Sequence, residues 1–304
     1  MAEQEFKEIK LSVPWGHVAA RTYGSSTGKR VLMIHGRLDN AGVFTRLMKY
    51  LPKESFYYVC LDLPGHGWSS AFPSWMMIDF LDYVHALYFI LEALQWKTFI
   101  LLGHSMGGQI GLVFSVLYPN RIEKLIAIDA INMLPPSFRK NTATYLHDAS
   151  ISSVKSYYKE HNKEPSSFTK EEVLRNFMTM RMSPLNYEAA DAIFERAITE
   201  VNGKYVYNRD NRLTNHPFTF STLEQCEEVN KKLPMIPIYV IVPSHGIIAS
   251  TKKYHELAFK IMKDKCMLEI IYVDGNHDIH NNEPEKLAPF ICKILNSYSN
   301  SNKL

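Results

Sequence analysis

The sequence predicts an α/β fold in which a mostly parallel, eight-stranded sheet is flanked by helices and carries a helical insertion after its sixth strand. Three observations predict it. Short apolar runs such as Val31-Leu32-Met33-Ile34 and Phe99-Ile100-Leu101-Leu102 alternate with amphipathic stretches, the pattern of buried parallel strands separated by helices. Several runs end in Gly- and His-bearing loops, as at His35-Gly36 and Pro64-Gly65-His66-Gly67. Residues 133–233 interrupt the alternation with a polar, mainly helical stretch, and the strand pattern resumes at Ile236.

Taken in order, residues 7–13 and 17–23 form an opening hairpin about Pro14-Trp15-Gly16. Residues 31–36 are a strand entering a glycine loop, and 57–63 the next strand, ended by Pro64. A helix spans 79–94, with Phe80, Leu81, Val84, Leu87, Tyr88 and Leu91 on one face. Residues 98–102 make a strand, 107–117 a helix halted by Pro119, and 122–128 another strand. After the insertion come a strand at 236–242, a helix at 252–262, a strand at 267–273 and a helix at 284–295. Residues 1–132 and 234–304 are thus expected to form the core domain. Residues 133–233 form a lid over the carboxyl ends of the strands, where open sheets bind ligands.

Composition narrows the class. Of 304 residues 46% are hydrophobic and 21% charged, ordinary for a globular protein of a size that buries roughly 75% of its unfolded surface. A net charge of +3 without a long basic run gives no nucleic-acid footprint. The first residues are polar and no long apolar run exists, so neither a secretory signal nor a membrane span is expected. Cys60, Cys226, Cys266 and Cys292 are scattered and read as reduced thiols. This points to the cytoplasm, while the terminal Asn302-Lys303-Leu304 lies one residue type from a Ser-Lys-Leu peroxisomal address. Nothing in the pattern assigns an oligomeric state.

The strongest chemical signal is Gly103-His104-Ser105-Met106-Gly107, between an apolar strand and a helix rich in small residues. A serine hydroxyl is a poor nucleophile unless a base takes its proton and the backbone exposes its oxygen. A sharp strand-to-helix turn exposes it, and glycines permit the turn. Two N–H donors are needed for the oxyanion, and Met106 and Arg37 are the candidates, with Leu38 as the fallback. The Arg37 side chain either holds an anionic group of the substrate or pairs with Asp39 or faces solvent. Leu38 and His104 are candidates for the substrate pocket.

His277, in Asp274-Gly275-Asn276-His277 after the last strand, is the best base, with His280 as its rival. His277 and His280 have no clustered third ligand in the sequence, so no metal is expected. For the acid, the loop after strand 236–242 reads Pro243-Ser244-His245-Gly246-Ile247-Ile248 and offers no carboxylate. Asp129, at the end of the preceding strand, is chosen instead, to accept the Nδ1–H of His277. A purely structural reading has Asp129 capping the first turn of the lid.

These segments, together with Asp62-Leu63-Pro64-Gly65-His66-Gly67, resemble the α/β-hydrolase superfamily. Asp39-Asn40-Ala41-Gly42 and Tyr207-Asn208-Arg209-Asp210-Asn211-Arg212-Leu213 are similar to the serine hydrolase-like (kraken-type) proteins of animals, a group linked to peroxisomes. Arg37 departs from that group, which commonly has an aromatic residue there. An acid at the end of the sixth strand resembles the arrangement in haloalkane dehalogenases and coelenterazine luciferases, whose nucleophile is an aspartate.

The reading that follows is a cofactor-free serine hydrolase, of carboxylesterase or thioesterase type, acting on a small, largely apolar ester through Ser105, His277 and Asp129. A binding or receptor protein using the same pocket is the alternative, and C–C or epoxide hydrolysis a weaker third. Met178, Met180, Met182, Phe177, Tyr187 and Phe194 are expected either to wall an apolar pocket or to pack lid helices.

Overall fold

In a computed structural model of the chain, describing residues 6–132, 142–162, 166–214 and 222–297, the alternating runs become one sheet. The elements are β1 (Lys7–Val13), β2 (Gly16–Gly24), β3 (Lys29–Ile34), β4 (Phe56–Leu61), α1 (Phe80–Leu94), β5 (Phe99–His104), α2 (Met106–Leu117) and β6 (Ile122–Ile128). Next come α3 (Thr142–Asn162), α4 (Lys170–Thr179), α5 (Tyr187–Ala197), β7 (Ile198–Val201), β8 (Lys204–Tyr207) and α6 (Leu223–Lys231). The chain then returns through β9 (Pro237–His245), α7 (Ile247–Ser250), α8 (Lys252–Lys263), β10 (Met267–Asn276), α9 (Ile279–Asn282) and α10 (Pro284–Asn296). The sheet has eight strands in the order β1-β2-β4-β3-β5-β6-β9-β10. It is antiparallel through β1, β2 and β4 and parallel from β4 to β10. That order puts the carboxyl ends of β3, β5, β6, β9 and β10 along one rim.

Strand pleating divides the core between the two faces of the sheet. Leu32 and Ile34 of β3 pack with α1, α2 and α8, whereas Val31 and Met33 pack on the other face with α10, α4 and α5. In α1, with one exception, the expected apolar face faces the core: Phe80, Val84, Leu87 and Leu91 are buried and Tyr88 is half-buried. Leu81 is 50% exposed, and Tyr83 is buried among the core residues instead.

Between β6 and β9 the described residues hold helices α3 to α6, and also a hairpin that the helical expectation missed. Ile198-Thr199-Glu200-Val201 and Lys204-Tyr205-Val206-Tyr207 pair antiparallel about Asn202-Gly203. Both turn residues have positive φ (51° and 75°), as a tight two-residue hairpin loop demands. This region is fastened to the sheet by buried charge. Arg196 of α5, with 0% exposure, forks onto Asp62 after β4 and reaches Glu8 of β1 at 2.7 Å. Arg212 donates to the carbonyls of Phe72, Pro73 and Met76 while pairing with Asp210. The Tyr207–Leu213 motif is therefore accounted for, at its Asp and second Arg, by anchoring.

Candidate active site

Ser105 stands where β5 turns into α2, with φ 51° and ψ −121°, outside the conformations that an L-residue adopts freely. The turn closes because neighbouring backbone comes very near. A Cβ on Gly103 would lie 2.3 Å from the Gly107 carbonyl carbon, and one on Gly107 would lie 2.2 Å from the Ile34 carbonyl oxygen. The Ser105 N–H donates to Ile128 O of β6 at 2.9 Å, and the Ser105 carbonyl accepts from Gly108 at 2.9 Å. Ser105 thus sits at the N-terminus of a 12-residue helix whose first N–H groups, starting with Met106, have no acceptor within the helix.

His277 follows β10 and Asp129 follows β6, two strands apart in the sheet. His277 Nδ1 lies 2.6 Å from Asp129 Oδ2. The loop after β9, which lacks a carboxylate, serves the one on Asp129. Ile247 N–H donates to Asp129 Oδ2 at 2.7 Å and Ile248 N–H to Oδ1 at 3.1 Å. Asp129 therefore receives the first N–H groups of α7. Burial draws the His277 pKa down, but the hydrogen bond to Asp129 and the charges of Asp278, Asp129 and Asp39 outweigh it, and the net shift is upward. Among the described residues no hydrogen bond joins Ser105 Oγ to His277 or to any other residue; such contacts commonly tighten only around a bound substrate.

The loop after β3 resolves one of the expected alternatives. Leu38 N–H donates to His66 Nε2 at 3.1 Å, and His66 Nδ1 donates to Pro64 O at 3.0 Å. Leu38 is thereby committed and is withdrawn as the fallback oxyanion donor. The Arg37 guanidinium donates to Leu213 O at 2.9 Å and Thr214 O at 3.4 Å, binding this loop to the segment before α6.

His104, expected at the pocket, is 1% exposed, its Nε2 donating to His277 O at 2.9 Å. Its ring lies 3.9 Å from that of His280, centroid to centroid. His280 is fully buried and is not placed as a base. Burial depresses both imidazoles, His104 well below the usual range and His280 to about 3. The pair His277 and His280 is not what converges; side-chain donor atoms of His104, Asp278 and His280 lie within 4.8 Å of one another instead.

Arg181 was not singled out in the sequence. Its Nη2 bridges Asp39 Oδ1 at 2.8 Å and Asp278 Oδ1 at 3.1 Å, joining the loop after β3 to the His277 loop. Burial raises the Asp39 pKa, which Arg181 opposes, and the result is about 6. Nothing local marks Arg181, whose partner Asp278 lies 97 residues away. Of the apolar residues expected in the lid, Phe177 is buried, whereas Met180, Met182 and Tyr187 are 79%, 72% and 54% exposed and line no enclosed wall.

Comparison with known proteins agrees with this architecture. The sequence profile described as the alpha/beta hydrolase fold matches residues 29–280. Serine hydrolase-like protein 2 of Homo sapiens is 35% identical over 299 residues, covering 95% of this chain and 93% of its own length. A serine hydrolase-like protein of Mus musculus is 30% identical, covering 95% of both chains. Among solved structures, a hypothetical protein of Pseudomonas aeruginosa superposes with a TM-score of 0.79 at 24% identity, covering 96% of this chain and 98% of that one.

Proposed function

Because the chain belongs to the α/β-hydrolase family, and within it to the serine hydrolase-like proteins, we propose that it hydrolyses a small, largely apolar ester or thioester through an acyl-enzyme on Ser105. His277 Nε2 takes the Ser105 proton as Oγ attacks the carbonyl carbon, and Asp129 holds the opposite ring nitrogen and offsets the imidazolium charge. Backbone N–H groups of Arg37 and Met106 receive the oxyanion. The leaving alcohol or thiol departs with the proton from His277. Water deprotonated by His277 then attacks the acyl carbon and frees the acid. Residues 133–233 act as a lid over this rim and 1–132 with 234–304 as the catalytic core.

The observation that carries the reading is the 2.6 Å hydrogen bond between His277 Nδ1 and a buried Asp129 that two backbone N–H groups hold in place. A carboxylate so oriented fixes the tautomer that leaves a lone pair on Nε2. Among the described residues no helix is long and apolar enough to cross a membrane. The Asn302-Lys303-Leu304 tail lies outside the described residues, and a peroxisomal address there belongs to the proposal. Steady turnover of a short p-nitrophenyl ester, abolished in Ser105→Ala, is the expected result. A single stoichiometric burst in the native protein would instead mark a binding protein and overturn the proposal.

A further inference from the structure

We propose that His104, Asp278 and His280 form a binding site for one divalent transition-metal ion of the zinc class. The three side chains come from the end of β5 and the turn into α9, and none is more than 1% exposed. Their ligand atoms converge to within 4.8 Å.

The hydrogen-bond accounting points to a missing cation. His104 spends its Nε2–H on His277 O, so its Nδ1 carries a lone pair, and that Nδ1 is buried without a hydrogen-bond partner. Asp278 Oδ2 and both ring nitrogens of His280 are buried without one as well. Buried polar atoms are almost always paired, and orphans at one spot call for an ion or ordered water. Here the orphans are mainly acceptors. Asp39 Oδ2, 3.9 Å from His104 Nδ1, adds another acceptor to the same side. Arg181 is the cation facing this cluster, and it is shared between Asp39 and Asp278 through their Oδ1 atoms, which leaves Asp278 Oδ2 unserved.

The supporting contacts suit a metal. An imidazole that ligates through one nitrogen usually donates its other N–H to a carbonyl or carboxylate, as His104 does to His277 O. Two imidazoles and one carboxylate are the donors of zinc, cobalt(II) or copper(II), and not of the oxygen-seeking calcium or magnesium. Ligand atoms about 2.0–2.2 Å from a tetrahedral ion lie roughly 3.4 Å apart, so the cluster closes by about an ångström on binding. A solvent molecule would complete the coordination.

The test uses the full chain, stripped with a chelator and titrated with Co²⁺ alone. One equivalent with the intense visible bands of a four- or five-coordinate ion, displaced by Zn²⁺, is expected. Failure of the native protein to bind either ion would mean that water alone fills the cluster, and would overturn the proposal. Asp278→Asn and His280→Gln should each weaken binding by roughly 10–100-fold. Unchanged Co²⁺ spectra in either variant, with cooperative thermal unfolding to show that it is folded, would place the ion elsewhere and equally overturn it. Ser105→Ala keeps all three ligands and must bind Co²⁺ like the native chain, so this result is independent of whether Ser105 is the nucleophile.

Discussion

Gly246 passes so close to Asp129 that a Cβ on it would stand 2.2 Å from each carboxylate oxygen. Its φ of −100° is open to any residue, so the glycine is required by contact and not by backbone conformation. The seventh strand of the sheet thus contributes to the acid without carrying it. Its loop brings a bare backbone against Asp129 and aims two N–H groups at the carboxylate.

Gly246→Ala is the sharpest probe of that contact. Displacing the loop or the carboxylate should cost on the order of 1–3 kcal/mol of stability. Ester turnover should fall further than stability alone explains, because His277 loses its orientation. Chemical denaturation and kcat, measured on the same preparation, check both.

Asp129→Asn keeps the shape and removes the charge. We expect kcat to fall on the order of 10⁴-fold, the scale known for the equivalent change in a serine protease. Asp129 is among the groups that raise the His277 pKa against burial, and the base must be neutral to act. The acid limb of the pH–rate profile should therefore lie above 6.5 in the native protein and move down in this variant.

Acid should unfold the protein steeply. His35 and His66 are depressed by burial to about 4 and about 3, His280 to about 3, and His104 well below its ordinary value. Each is kept neutral in the fold and takes a proton near pH 6.5 once unfolded. Their stabilisation is thus complete above that pH and is lost as pH falls. Asp39 works in the opposite sense, since its native pKa of about 6 favours the fold at lower pH. The unfolded chain therefore gains more protons than the native one as pH falls from about 6.5, and stability falls with it. Urea denaturation from pH 7.5 to 5 measures that slope.

Arg181→Met removes the guanidinium that Asp39 and Asp278 share. Two buried carboxylates without their cation should cost about 3 kcal/mol at pH 7.5. The loss should shrink below pH 6, where Asp39 is already protonated. A pH-independent loss would assign Arg181 a packing role only.

The parts of the fold written in local pattern were legible. Apolar runs located every strand of the main sheet, and the glycines around Ser105 located the turn. Asp129 was reached by elimination, because no carboxylate followed β9. The close approach of Gly246 to Asp129 was not legible, because it depends on a contact 117 residues distant in the chain. The hairpin at Asn202-Gly203 had its turn signal in the sequence, but the polar surroundings of that segment masked it. Arg181, Arg196 and the His104–Asp278–His280 cluster left no local trace, since buried charge is paired only by the tertiary fold. The hydrogen bond from His104 to His277 O likewise joins residues far apart in the chain and leaves no local trace.

If Ser105 is a nucleophile driven by the His277–Asp129 pair, it should be acylated and phosphonylated selectively. Reaction with a fluorophosphonate, followed by mass spectrometry of the peptide containing Ser105, tests it most directly. A stoichiometric adduct on Ser105 is expected in the native protein, greatly slowed in Asp129→Asn and absent in Ser105→Ala. An adduct that forms at the native rate in Asp129→Asn, or on another residue in Ser105→Ala, would contradict it.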